Sequence, residues 1–219
     1  MNQRRTVRTP IGVLHAGSIA LALVCAATTP AAAAQELHVL AAGAVTQAVT
    51  RLADTFTRAT GERVTLTFAQ AGKVRRALDA GTPADVVVLS APLMTATERA
   101  RGVLPGSAVP LGSTGVAVGV RAGAPLPDIA TPESFRRTLL AARSITYADP
   151  AYASSGAYVA KLIRRLGIAG AMAPKTILVK SGYGAELVRR GRAQLVVQNL
   201  SEIVPVKGVR VVGPLPPPL

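Results

Sequence analysis

The sequence has no tryptophan, one cysteine (Cys25), two histidines (His15 and His38), and aromatic residues at only 3% of its 219 positions. Each scarcity closes off a class of function. One cysteine forms no intrachain disulfide and, with two histidines, supplies no Cys/His zinc cluster. Few aromatics remove the stacking platforms on which single-stranded nucleic acids are held. Charged residues are also few, at 16%, and acidic ones fewest: 11 Asp+Glu stand against 25 Lys+Arg, a formal charge of +14. Hydrophobic residues make up 49% of the chain, which excludes a disordered segment and gives ample material for a core.

Part of the charge belongs to a segment with a separate role. Arg4, Arg5 and Arg8 precede an uncharged apolar stretch, 11–27, and Ala32-Ala33-Ala34 closes it with small residues. That is the pattern of a cleaved signal peptide over residues 1–34, and it predicts a periplasmic protein. From Gln35 onward there remain 22 basic and 11 acidic residues, one histidine and no cysteine. A Ser-His-Asp triad would depend on His38, which reads instead as a histidine in a strand at a sheet edge. Beyond the signal, no segment is long and apolar enough to span a membrane.

Strand and helix patterns then alternate. Residues 36–41 read as a strand, 46–60 as a helix with Val49, Leu52, Ala53 and Phe56 on one face, and Gly61 as its stop. Residues 63–68 alternate as a second strand, 73–80 form a short helix ended by Gly81, and 85–89 read as a buried strand. Further strands are expected at 115–120, 144–147, 176–179, 194–197 and 209–212. Helices are expected at 133–142, with Thr131 as N-cap, at 156–166, and near 185–190. The βαβαβ order predicts a parallel sheet with helices on its faces, an α/β fold. Arg75-Arg76, Arg136-Arg137, Arg164-Arg165 and Arg189-Arg190 fall on these helices. Adjacent helical residues point about 100° apart, so the pairs read as broad solvated faces.

Several runs together resemble the periplasmic molybdate-binding proteins of ABC importers. These are Val39-Leu40-Ala41-Ala42-Gly43-Ala44-Val45-Thr46, Thr67-Phe68-Ala69-Gln70-Ala71-Gly72, and the stretch from Leu78 to Ala91 with its Gly81-Thr82-Pro83-Ala84-Asp85 core. Asp149-Pro150, Ser155-Gly156 with Tyr158, and Ser201-Glu202-Ile203-Val204-Pro205 continue the likeness. The resemblance implies a type II periplasmic-binding-protein fold of two α/β lobes with the ligand cleft between them. Lobe 1 would be 35–112, completed by 206–219, and lobe 2 would be 113–205. It also implies a further C-terminal helix returning to lobe 1, which this sequence, ending at Leu219, is too short to supply. The implied function is that of a monomeric, non-enzymatic protein without cofactor, handing a small oxyanion such as molybdate or tungstate to an inner-membrane ABC permease. No nucleic-acid partner and no metal ligand set are implied.

The site expected from the resemblance lies in small turns: Gly43 and Ala44; Gln70, Ala71 and Gly72; Ser90 and Ala91; Ser154, Ser155 and Gly156; and Tyr183. Small residues let backbone N–H groups at helix N-termini reach an anion, which the helix dipole favours. By themselves such turns also simply end strands, and Tyr183 also reads as a packing residue. The family's serine hydroxyls are replaced at Ala44 and Ala71, and a family tyrosine by Val197. Gln70, Lys73, Ser154 and Ser155 are the candidates to compensate. The ligand expected from the resemblance is therefore an oxyanion or another polar or anionic solute. The enzyme alternative would use a carboxylate such as Asp85 or Asp149 as a base.

Overall fold

The computed structural model describes residues 36–219, and the expected signal peptide lies outside them. Strand β1 (Glu36–Ala42) passes through a short 3-10 turn (Gly43–Val45) into helix α1 (Thr46–Thr60). Strand β2 (Arg63–Ala69) leads to α2 (Ala71–Asp79), and β3 (Val86–Val88) to α3 (Ala91–Arg99). The three strands form a parallel sheet in the order β2-β1-β3, with β1 and β2 paired from Glu36↔Arg63 to Ala42↔Ala69. Parallel neighbours require crossovers, and α1 and α2 supply them. Gly61 ends α1 in the left-handed conformation (φ +77), as its position in the sequence predicts.

Two expectations about this sheet change. The stripe on α1 is apolar, but only Val49 is buried; Leu52 is 59% and Phe56 37% exposed. The run 85–89 forms an edge strand rather than a buried one, because β3 has a partner on one side only and leaves Val86 46% exposed. His38, conversely, sits on the central strand β1, where its N–H donates to Asp85 Oδ2 at 2.7 Å.

The second sheet is wider. It contains β4 (Val116–Arg121), β5 (Ile145–Ala148), β6 (Thr176–Val179), β7 (Leu195–Asn199) and β8 (Val209–Pro214), in the order β6-β5-β7-β4-β8. β5 runs parallel to β6 and β7, while β4 is antiparallel to β7 and β8. Helices α4 (Pro132–Ala141), α5 (Ser154–Arg165), α6 (Ala169–Met172), α7 (Ala185–Arg189) and α8 (Leu200–Ile203) cover it. Phe135, Leu139, Ile145, Val159, Leu162 and Met172 form the main core on one side. Val188, Val196, Ile203 and Val206 form a second cluster.

Strand β8 does not complete the three-stranded sheet. It pairs with β4, from Val209 opposite Arg121 to Pro214 opposite Ala117. Val209 and Val211 pack on one cluster of the wide sheet, and Val212 and Leu215 on the other. Both faces of the strand are thus claimed by the second lobe.

Candidate functional site

In open α/β sheets ligands bind beyond the carboxyl ends of the strands, and here such ends from both sheets meet. β1, β2 and β3 deliver Gly43-Ala44, Gln70-Ala71-Gly72 and Ser90-Ala91. β5 and β6 deliver the segments holding Ser154-Ser155-Gly156 and Tyr183. Hydrogen bonds tie the two sides together. Gly72 N–H donates to Tyr152 O at 2.7 Å, and Gln70 Nε2 donates to Val179 O at 2.7 Å. Ser90 Oγ and Ser154 Oγ lie 2.9 Å apart, and Tyr183 OH reaches Gly43 O at 3.5 Å. Lys73 Nζ donates to Lys180 O and also sits 5.2 Å from the Tyr152 ring centre, where Arg76 Cζ lies at 4.6 Å.

Among the described α-helices only α4, which starts away from this cleft, has a side-chain cap. α4 has a complete capping box: Thr131 Oγ1 accepts from Ser134 N, and Ser134 Oγ accepts from Thr131 N. α2, α3 and α5 begin after extended N-cap residues, Gln70, Ser90 and Ala153, and none is capped by its own side chain. Ser90 is a residue type that caps well, yet its hydroxyl is turned across to Ser154. The first N–H groups of a helix have no partner within it, and its dipole leaves partial positive charge there. Gly72 N–H at the start of α2 is already given to Tyr152 O, so the remaining first N–H groups of the three helices, with Lys73 of α2, make the environment for negative charge.

The expected residues take different parts. Gly43, Gln70, Gly72, Ser90, Ser154 and Tyr183 make the cross-cleft contacts. Ala71 is buried at the first position of α2. Gly156 is turned into its own lobe: a Cβ there would lie 2.0 Å from Ala148 O, so glycine seats α5 against β5. Gly72 is needed for close approach as well, since a Cβ would lie 2.8 Å from Tyr152 O. Ala44, Ala91 and Ser155 stand beside these residues at the starts of their helices, without cross-cleft hydrogen bonds of their own side chains. Lys73 reaches the opposite backbone, and Arg75 bonds Asp79 and Thr97 while Arg76 covers Tyr152. Of the first arginine pair, Arg75 is half-buried while Arg76 stays exposed, as expected of a solvated face.

The two carboxylates considered as bases are structural. Asp85 Oδ2 holds His38 N–H, and Asp149 Oδ1 accepts from Ala151 N at 2.9 Å to shape the turn before α5. The acid at the cleft is Glu202 on α8, 8% exposed. A Cβ on Gly43 would lie 3.4 Å from Glu202 Oε1 and 3.9 Å from the Tyr183 ring. Asn199 Nδ2 donates to Glu202 Oε2 at 3.0 Å. Burial raises the Glu202 pKa above the ordinary glutamate range, against smaller lowering effects of Gln198 and Asn199. Gln198 is 1% exposed; its Oε1 accepts from Gly184 N, and its Nε2 faces the carboxyl without reaching hydrogen-bond geometry with any partner. Tyr152, Gln198 and Glu202 were not singled out from the sequence. Glu202 stood only within the family-like run Ser201-Glu202-Ile203-Val204-Pro205, with no site role assigned to it.

The sequence pattern of the family described as bacterial extracellular solute-binding protein matches residues 37–219. The chain belongs to that family. It is 32% identical over 208 residues to an aconitate isomerase of a Pseudomonas species, covering 91% of this chain and 78% of that one. It is 27% identical over 193 residues to the molybdate-binding protein of Escherichia coli strain K12, covering 83% of this chain and 72% of the relative. Among solved structures, the periplasmic molybdate-binding protein of Azotobacter vinelandii superposes with a TM-score of 0.64 at 21% identity, over 75% of this chain and 71% of that one. The solute-binding family and the two-lobe fold therefore agree with the expectation drawn from the sequence. The relatives' names divide between a bound oxyanion, molybdate, and an isomerised organic acid, aconitate.

Proposed function

We propose that this family member is a periplasmic protein that captures a small anion between its lobes and presents it to an ABC permease, closing the lobes around it. The observation that carries this reading is the convergence of the uncapped N-termini of α2, α3 and α5, with Ser90 and Ser154 facing each other 2.9 Å apart. A micromolar site requires about 8 kcal/mol, within reach of several charge-assisted hydrogen bonds of about 1.5–3 kcal/mol each in a preorganised cleft. The ligand-contacting set we assign is Gly43, Ala44, Gln70, Ala71, Gly72, Ser90, Ala91, Ser154, Ser155 and Tyr183, with Gly156 as a positioning residue. Titration calorimetry with molybdate, tungstate, sulfate, phosphate and cis- and trans-aconitate tests the reading. Binding of at least one anion is expected, weakened about tenfold or more in the Ser90→Ala/Ser154→Ala double variant. Absence of both heat and thermal shift with all six sinks it.

A second reading rests on Glu202. A buried carboxyl of raised pKa beside a cleft is suited to taking and returning a proton, and one relative is an aconitate isomerase. On this reading the same helix N-termini stabilise negative charge on a carboxylate substrate during proton transfer. Chromatography of cis- or trans-aconitate incubated with the protein checks it: interconversion lost in Glu202→Gln supports an enzyme, and an unchanged isomer ratio removes it.

A further inference from the structure

Glu202 poses a problem for the binding reading. An ionised carboxylate set against the turn where an anion is expected would repel it, and among the described residues no cation is paired with Glu202. Of the elements packed most closely against α8, the Gly43–Val45 turn and β7 carry no ionisable side chain. β4 carries Arg121 and β8 carries Arg210, both exposed, and the influences on Glu202 come from burial and from the neutral amides of Gln198 and Asn199. Tyr183 is the other ionisable group beside the same turn. Near Glu202, two buried polar atoms have no partner, Gln198 Nε2 and Ser201 Oγ. A donor such as Gln198 Nε2, on a side chain 1% exposed, is costly to leave unmet.

We propose that anion capture by this cleft takes up one proton, held on Glu202. The neutral carboxyl donates a hydrogen bond to a ligand oxygen, with Gln198 Nε2 and Tyr183 OH as neighbouring donors. The proton comes from solvent, and no bond of the ligand is broken. This subsite deepens the anion-binding reading and rests on it: the helix N-termini of α2, α3 and α5 carry the charge, and Glu202 makes the affinity depend on pH. The ligand class is an oxyanion or carboxylate with a free acceptor oxygen. The sign follows directly. Below the pKa of Glu202 in the unliganded protein the donor is already present and binding is strongest. Above it each bound anion must bring a proton onto Glu202, and affinity falls by up to about tenfold per pH unit.

The test is calorimetric titration of the exported chain with molybdate and with trans-aconitate between about pH 6 and pH 9, in buffers of different ionisation enthalpy, for the wild type and Glu202→Gln. The expected result is proton uptake in the wild type, detected as a buffer-dependent heat, with affinity decreasing toward high pH. In Glu202→Gln the amide is a donor at every pH, so the slope flattens and the variant binds more tightly than the wild type at the alkaline end. The buffer comparison needs no variant, so a folding defect in Glu202→Gln leaves the proposal exposed to it. Binding without proton uptake, or an equal pH slope in the variant, overturns this proposal while leaving the anion site standing. Failure of both anions to bind at any pH overturns it together with binding of these ligands.

Discussion

The two lobes are built from the same βα units, yet they bury their chains very differently. In the five-stranded lobe Phe135, Leu139, Ile145, Leu162, Met172 and Ile203 are all at 1% exposure or less. The three-stranded lobe has a core cluster of Val39, Ala41 and Val49, while Leu52, Phe56 and Val86 remain exposed. Leu104, Val109 and Leu111, in the connection between the lobes, are 78%, 73% and 60% exposed. The contrast follows from width. A five-stranded sheet carries covering helices on both faces and has three interior strands. A three-stranded sheet has one, and its β3 is three residues long. Half of the cleft therefore stands on a firm base and half on a looser one, which suits a site that works by lobe closure.

Core substitutions break this comparison most strongly. Phe135→Ala should cost about 3–5 kcal/mol in denaturant unfolding, whereas Phe56→Ala on α1 should cost about 1 kcal/mol or less. Equal costs would mean that the narrow lobe is as well packed as the wide one. Glycine substitutions separate the lobes from the cleft. Gly156→Ala forces α5 off β5 and should destabilise by about 1–3 kcal/mol or more, because its Cβ would meet Ala148 O at 2.0 Å. Gly72→Ala presses on Tyr152 O across the cleft, so it should weaken ligand binding and lobe closure more than the stability of either lobe.

A graded effect is expected from pH. Because burial raises the Glu202 pKa, the folded state holds a proton that the unfolded chain releases above about pH 4.3. This contribution is fully present below that pH and is lost as pH rises through the folded pKa. Denaturant titrations of wild type and Glu202→Gln should therefore diverge with rising pH, the wild type losing stability relative to the variant; parallel curves would mean Glu202 is ionised in the fold. The smallest effects concern caps. Thr131→Ala removes the capping box of α4 and should cost about 1 kcal/mol in the same assay. Ser154→Ala removes no cap and should change stability by only a few tenths of a kcal/mol while reducing anion affinity.

These contrasts also explain what could be read in advance. Periodicity located β1, β2, β6 and β7, and Thr131 marked the start of α4, because each signal is local. Gly61 likewise announced the end of α1. The exposure of Leu52 and Phe56 was not legible, since an apolar stripe reveals a face but not what covers it. Helix α3 was missed although Ser90 and Pro92 mark its start, because that segment was read only as the end of a strand. The turns of the site were visible as small residues at strand ends, whereas Glu202 and Gln198 were not. Their significance depends on a contact between Gly43 and α8, about 160 positions apart in the chain, that no local pattern encodes.

Hydrogen-exchange footprinting with and without saturating molybdate, and separately trans-aconitate, tests most directly the claim that an anion is held between the two lobes at uncapped helix N-termini. The account predicts that a binding anion slows exchange simultaneously at the starts of α2 and α3 in the narrow lobe and of α5 in the wide lobe, with the larger change in the narrow one. Protection confined to one lobe, or to the open groove lined by residues such as Asp128, Val212 and Pro216, would contradict it.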